Sequence, residues 1–291
     1  APAFALAKRA LVVGDESQIP PVWGVPGAVD KALAIQYGVI ENKTEFSRLA
    51  ESGINCSESN VMKVAKNACQ YAKEPFRGLF LSEHRRCYNE IIGFCNQLIY
   101  KELLQPKRGN GKDDPAFPLP GLPQMGYRDI PSDHAAQAGV SRCNKAEAKA
   151  IAQWVKTHYP AIRRAYEATG SRIKPEEILA VITPFKAQAQ LIRSYLSKEL
   201  PRESAYISVG TVHTFQGAER KVILFSTVYG AKDSGYFIER NPNLVNVAVS
   251  RAQDSFLVFG SRAALQGQVG RLLKTHTPTQ LTLNHPETPA S

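Results

Sequence analysis

The stretch ILAVITPFKAQAQLIRSYL, residues 178–196, decides the fold. It opens with a run of aliphatic residues that does not alternate with polar ones, stops at Thr183 and Pro184, and continues into a helical segment. A continuous aliphatic run of that length reads as a strand buried on both faces, and a helix directly after it is the start of a parallel crossover. The same grammar recurs along the chain. YISVGTV (206–212), KVILFSTVY (221–229) and SFLVFG (255–260) are strand-like, and LVNVAVSRA (244–252) is a helix leading into the last of them. NKAEAKAIAQWV (144–155) is a helix that Asn144 is placed to cap, with Glu147 three residues on as in a capping box. Toward the N-terminus, ALVVGD (10–15) reads as a short strand and residues 28 to 73 as helical, with Val61, Val64, Ala65 and Ala68 on one face. RGLFLSEHRR (77–86) reads as a strand running into a helix. Strands alternating with helices predict an α/β fold, a parallel sheet with helices on both faces.

Composition bounds the rest. A chain of 291 residues with 43% hydrophobic residues can fill a sizeable core. Its formal net charge of +10 suits a polyanionic partner, because Lys and Arg that neutralise phosphates release condensed counterions. Basic residues outnumber acidic ones by 20 to 11 from Ser141 onward, so the excess lies in the C-terminal part. The five cysteines form no C-x-x-C pair, so neither a zinc site nor a disulfide framework is expected, and they read as buried thiols in a reducing cytoplasm. No apolar run reaches the roughly 20 residues of a membrane span. Residues 105–133 are rich in Pro, Gly, Lys and Asp and read as a long surface excursion, and 275–291 as a flexible tail. The chain begins without Met and reads as a piece of a longer protein.

In parallel α/β folds the chemistry gathers at the carboxyl ends of the strands, which singles out Gly14, Asp15 and Gln18, then Thr183 and Pro184, then His213, Gln216, Gly217 and Glu219, with Arg251 just before the last strand. The expectation is that these groups converge on one edge of the sheet.

Five blocks containing those residues resemble, in order, motifs III to VI of superfamily 1 helicases. GDESQIPP (14–21) is similar to motif III, LSEHRRCYNEIIGFCNQLIY (81–100) to motif IV, and VITPFKAQ (181–188) to the Thr-Pro-Tyr-x-x-Gln segment. VGTVHTFQGAERKVILFS (209–226) is similar to motif V and LVNVAVSRAQDSFLVFG (244–260) to motif VI. The likeness is nearest to the 1B branch that holds the nonsense-mediated-decay and Dna2-like helicases. It implies a RecA-like, P-loop NTPase-type sheet: residues 1–76 as the C-terminal remnant of a first RecA-like domain, and 77–274 as the second.

The resemblance also implies roles. Gln18 would sense the γ-phosphate of ATP, and Arg86 and Arg251 would be arginine fingers that supply fixed positive charge to the departing phosphoryl group. Glu219 and Gly217 would face the ribose and phosphates, with Asp15 in the nucleotide site and Arg85 against the base. Thr183, Pro184, Thr211 and His213 would lie against the phosphate backbone of a single-stranded DNA or RNA. Arg85 stands where the family usually has Tyr, His213 where it has Asp, and Asn89 where it has Pro. No G-x-x-x-x-G-K-[ST] phosphate loop or Asp-Glu magnesium motif occurs in these residues, so ATP and Mg2+ would be completed by the missing N-terminal RecA-like domain, and this chain alone would be inactive. The alternative is a non-catalytic RecA-like module that binds nucleic acid or acts as a scaffold.

Overall fold

The computed structural model describes residues 6, 8–21, 24–69, 71–73 and 76–281, in two compact units, 1–81 and 82–291. In the first unit the helices are α1 (Gly27–Gln36), α2 (Lys43–Ser52) and α3 (Val61–Ala68), followed by the two-residue pair β1 (Ala72–Lys73) and β2 (Phe76–Arg77). Asn42 and Asn60 cap α2 and α3: their side chains accept backbone N–H bonds, Asn42 from Thr44 and Glu45, Asn60 from Lys63. Gly53 ends α2 in the left-handed region at φ +78°, where a side chain would be strained.

Residues 10–15, expected as a strand, form none, and Leu11 and Val13 are 91% and 79% exposed. An aliphatic run becomes a strand only when a neighbouring strand takes its N–H and C=O groups. Among the described residues of this unit no sheet borders it.

The second unit carries the sheet. In chain order it contains β3 (Glu83–His84), α4 (Asn89–Cys95, continued by a π-turn to Tyr100), β4 (Gln105–Pro106), β5 (Met125–Asp129), the hairpin β6 (Ala136–Ala138) and β7 (Ser141–Cys143), and α5 (Lys145–Ala168). There follow β8 (Leu179–Thr183), α6 (Lys186–Glu199), β9 (Ser208–Thr211), β10 (Arg220–Ser226), α7 (Tyr236–Arg240), α8 (Pro242–Val249), β11 (Ala252–Gly260), α9 (Gln268–His276) and β12 (Thr279–Gln280). Six strands pair in the order β12-β5-β11-β10-β8-β9, every pairing parallel.

The strands alternate their side chains between two apolar layers. Leu179, Val181, Leu224, Leu257 and Phe259 pack under α5 and α6 around Trp154, Tyr159 and Ile192. On the other face α4, α8 and α9 cover the sheet, with Phe225 and Phe256 stacked at 5.7 Å. Trp154 is fully buried, and its truncation to Ala would cost about 3 to 5 kcal/mol.

Two segments read as irregular belong to this sheet. MGYRD (125–129), inside the Pro/Gly-rich excursion, is β5 and pairs with β11. Thr279–Gln280, inside the expected tail, is β12 and pairs with β5, while Leu281 is buried; residues 282–291 lie outside the described set. Both strands are short and their flanks polar, so periodicity alone does not separate them from loop.

Candidate functional site

The candidate residues of the second unit do not converge on one edge. Thr183 and Thr211 end β8 and β9 and are paired in register, so both stand at the carboxyl edge. Glu219 and Arg251 immediately precede β10 and β11, whose first residues Arg220 and Ala252 pair in register, and so stand at the amino edge. Because β9 and β10 point the same way, residues 212–219 must travel the height of the sheet from one edge to the other. They do so through a short 3-10 turn, Val212–Phe215, and Gly217 at φ +85°. No atom outside its chain neighbours lies within 4 Å of a Cβ built there, so the backbone conformation, not crowding, calls for glycine.

At the amino edge, Arg86 Nε meets Glu219 Oε1 at 2.6 Å, with the arginine side chain 40% exposed. The other Glu219 oxygen accepts from Gln253 Nε2 at 2.8 Å. Arg251 is 3% exposed; its Nε donates to the Val247 carbonyl and its Nη2 to Ser250 Oγ, both at 3.1 Å, which folds it back on the end of α8. Burial and then the Arg86 guanidinium lower the Arg251 pKa, yet an arginine stays charged at any physiological pH.

The turn that carries Arg86 is fixed from two sides. His84 Nε2 accepts the Cys87 N–H at 3.1 Å, and burial followed by the Arg86 charge lowers its pKa to about 4, so it is a neutral acceptor. Arg108 donates to the carbonyls of Arg86 (2.8 Å) and Gln253 (2.6 Å), pairs with Asp254, and stacks 3.7 Å from the Tyr88 ring centroid. The Cys87 thiol is pushed up to about 12 by burial and is no nucleophile. Arg85 turns aside to Glu83 at 2.7 Å and is largely exposed, apart from the Arg86 pair.

At the carboxyl edge Thr183 is fully buried and its Oγ1 has no hydrogen-bond partner. Pro184 is half-buried, His213 is exposed, and Thr211 shares a 3.2 Å hydrogen bond with Thr214.

Beneath this edge lies a polar network absent from the sequence reading. Glu147, expected to close a capping box on Asn144, points into the interior: Oε2 accepts from Ser226 Oγ (2.6 Å) and from Val228 N–H (2.9 Å). The Asn144 side chain still caps α5 at 3.1 Å, but its own N–H goes to Gln188 Oε1 at 2.8 Å. Complete burial raises the Glu147 pKa to about 8, partly offset by its hydrogen bonds to Ser226 and Val228. Val228 sits at φ +74°, a strained conformation for a β-branched residue. Glu147 on its N–H and Asn144 on its C=O, at 3.1 Å, hold it there.

In the first unit, Asp15 and Gln18 line a pocket of about 500 Å3 together with Val13, Pro20, Asn60 and Met62. Asp15 accepts from Ser17 N–H at 2.9 Å and from Gln18 Nε2 at 3.4 Å. A Cβ on Gly14 would stand 3.3 Å from Met62 Sδ, which accounts for glycine beside α3.

Arg108, Gln253, Gln188 and Glu147 are the functional neighbours that sequence reasoning missed. Gln188 ends the VITPFKAQ block and Gln253 follows Arg251 by two residues, so both carried a signal in their motifs. Arg108 sits among Gly and Lys in a loop and carried none.

The second unit is therefore an all-parallel sheet with arginines and a carboxylate at one edge, joined by one crossing segment to hydroxyls at the other. The chain belongs to the AAA domain family, whose model matches residues 58–263. It is 27% identical to the regulator of nonsense transcripts 1 homolog of Arabidopsis thaliana over 90% of this chain and 18% of that protein. It is 28% identical to the putative helicase MOV-10 of Gallus gallus over 62% of this chain and 20% of that protein. It is 24% identical to the ATP-dependent helicase upf1 of Schizosaccharomyces pombe over 89% of this chain and 24% of that protein. The chain thus spans about a fifth of the length of these relatives, and the superfamily 1B resemblance of its motifs holds over nearly its whole length.

Proposed function

We propose that this chain is the C-terminal motor part of an ATP-dependent helicase or translocase that acts on single-stranded DNA or RNA. The observation that carries the reading is the 212–219 segment, which links an arginine-rich edge suited to a nucleotide with an edge of hydroxyl and imidazole groups suited to a phosphate backbone. A motor must couple two such sites, and one short segment anchored at both edges is a direct physical link.

Arg86 and Arg251 would act as the fingers on the departing γ-phosphoryl group. The half-exposed Arg86 guanidinium keeps donors free of its Nε pair and fits a phosphate. Glu219 would orient Arg86 and meet the ribose, Gly217 would pass close to the phosphates, and Arg85, exposed on the same turn, would lie against the base. Asp15 and Gln18, from the first unit, would sense the nucleotide. ATP supplies the free energy. Among the described residues no cluster of three or more His, Cys, Asp or Glu side chains could hold a metal ion, and Mg2+ would be held by the N-terminal RecA-like domain.

The rest of the phosphate site would come from the N-terminal RecA-like domain of the longer protein, with the division near residue 76, and the 291-residue chain alone would not turn over ATP. No helix among the described residues is long and apolar enough to cross a membrane, and the five free thiols suit a reducing cytoplasm. The test is ATP hydrolysis by the full-length protein with and without single-stranded nucleic acid. Stimulated turnover supports the motor. A protein that binds the nucleic acid yet hydrolyses nothing would be a retained RecA-like scaffold.

A further inference from the structure

The carboxyl edge holds more than the four residues proposed to meet the phosphate backbone. The order β9-β8-β10 places β10 on the far side of β8 from Thr211 and His213, and the loop leaving β10 carries an aromatic cluster. Tyr229 packs edge-on to Phe185, centroids 5.6 Å apart and planes at 81°, and Phe185 lies 5.6 Å from Phe237. The Tyr229 hydroxyl accepts the Phe237 N–H at 3.3 Å. Tyr229 is buried and follows the strained Val228 that Glu147 and Asn144 hold, so the cluster has a fixed footing.

Its outer members are not core residues. Phe237 is 38% exposed and Tyr236 is 58% exposed, and the fully exposed Val140 tips the β6–β7 hairpin, which is joined to the start of α6 by the bond from Ala187 N–H to Ser141 Oγ. These apolar side chains stay in water at the same edge.

The charge around them is positive. Arg142 stands over Tyr229 (5.6 Å), Arg240 over Tyr236 (4.7 Å), and Lys186 is exposed beside Phe185. The nearby carboxylates are already neutralised, Asp233 by Arg142 and His134 and Asp133 by Lys232 at 2.7 Å. Glu239, on the same helix as Phe237, is turned to the N–H groups of Gly267, Val269 and Gly270. Arg142 and Lys232 are thus themselves paired, and Arg240 and Lys186 are the nearby cations that form no ion pair among the described residues. Aromatic faces with such cations beside them suit an unpaired strand: charge tracks the phosphates while rings stack on the bases.

We propose that Phe237, with Tyr236 beside it, is a stacking platform for unpaired nucleobases that extends the nucleic-acid path from Thr211 and Thr183 across β8 to the loop after β10. The site is independent of base identity, because every base offers a π-face. It rests on the nucleic-acid reading of the carboxyl edge given above and adds base contact to it.

The test uses the 291-residue chain with two fluorescent probes of equal length, an oligothymidylate and an abasic oligomer that keeps the phosphates and lacks the bases. The wild type should bind oligothymidylate more tightly than the abasic oligomer. Phe237→Ala should weaken oligothymidylate binding about ten-fold and leave abasic binding unchanged, and Phe237→Trp should restore it. Tyr236→Ala, at a side chain too exposed to matter for folding, should act in the same direction with a smaller effect. Equal binding of both probes by the wild type, or loss of both on Phe237→Ala, would overturn the platform while leaving the phosphate contacts in place. Unchanged oligothymidylate binding in both variants would assign the patch to a protein partner instead. Failure of the wild type to bind either probe would remove the nucleic-acid reading itself.

Discussion

The two edges of the sheet are built from opposite materials. At the amino edge, Arg86 and Glu219 pair with each other while partly exposed, Glu219 also accepts from Gln253, and Arg251 is buried against its own helix end. At the carboxyl edge the surface is partly aromatic with basic side chains beside the rings, and the carboxyl beneath it, Glu147, is wholly buried. Exposed ion pairs contribute little to stability because water screens them, and they exchange partners at low cost. A buried carboxyl bonded to a strained backbone contributes a fixed geometry and is expensive to disturb. On the proposed function, the difference teaches that an edge whose charges would meet an incoming polyphosphate keeps its exposed arginine in a replaceable pair. An edge that must present a shape to a nucleic-acid strand anchors it from below.

Substitutions at each edge can break this contrast. The largest expected effect is Arg86→Ala in the full-length protein, where turnover should fall about a thousand-fold, as loss of an arginine finger does, while the melting temperature barely moves. A large stability loss with normal turnover would make the pair with Glu219 a structural brace. Glu147→Leu should do the reverse, because it strips the partners from Ser226 and the Val228 N–H. Each orphaned buried group costs roughly 1 to 3 kcal/mol, and a denaturant titration of the chain should show the loss. An unchanged midpoint would contradict the anchoring role.

His213→Ala, at an exposed side chain, should weaken single-strand binding by no more than about ten-fold and leave folding intact; an unaltered affinity would take His213 out of the nucleic-acid path. Stability should also vary with pH. A carboxyl kept protonated by burial contributes stability in full below the ordinary carboxylate range, and that contribution drains away as pH rises from about 4.5 toward about 8. Glu147→Gln, neutral at every pH, should flatten the wild-type decline in melting temperature across that window, and parallel curves for the two proteins would show that Glu147 does not titrate there.

Much of the fold was legible because β8, β10 and β11 each rest on an unbroken apolar run (178–182, 222–225 and 256–259), too short for a buried helix and bounded by polar residues or glycine. The strand at 10–13 failed on the same rule applied without a neighbour, since pairing belongs to the partner and not to the run. β5 and β12 hid because each is short and stands at the β12-β5 side of the sheet, where only a few residues are buried.

The candidate residues could be picked out one by one in the sequence, but their layout could not. Motif order shows that Thr211 and Glu219 lie eight positions apart, and only the parallel pairing of β8 with both β9 and β10 shows that those positions span the sheet. Glu147 was misplaced because the S/T/N-x-x-E pattern fits a capping box equally well. The choice was made by Gln188, which takes the Asn144 N–H and frees the carboxyl to turn inward.

The central claim is that the two edges have separate duties. The most direct test is to measure, on the same preparation of full-length Arg251→Ala, both the single-strand dissociation constant and the stimulated rate of ATP hydrolysis. The account predicts that hydrolysis falls by about a hundred-fold or more while the dissociation constant stays within about two-fold of the wild type. Hydrolysis at the wild-type rate, or a loss of binding as large as the loss of turnover, would contradict it.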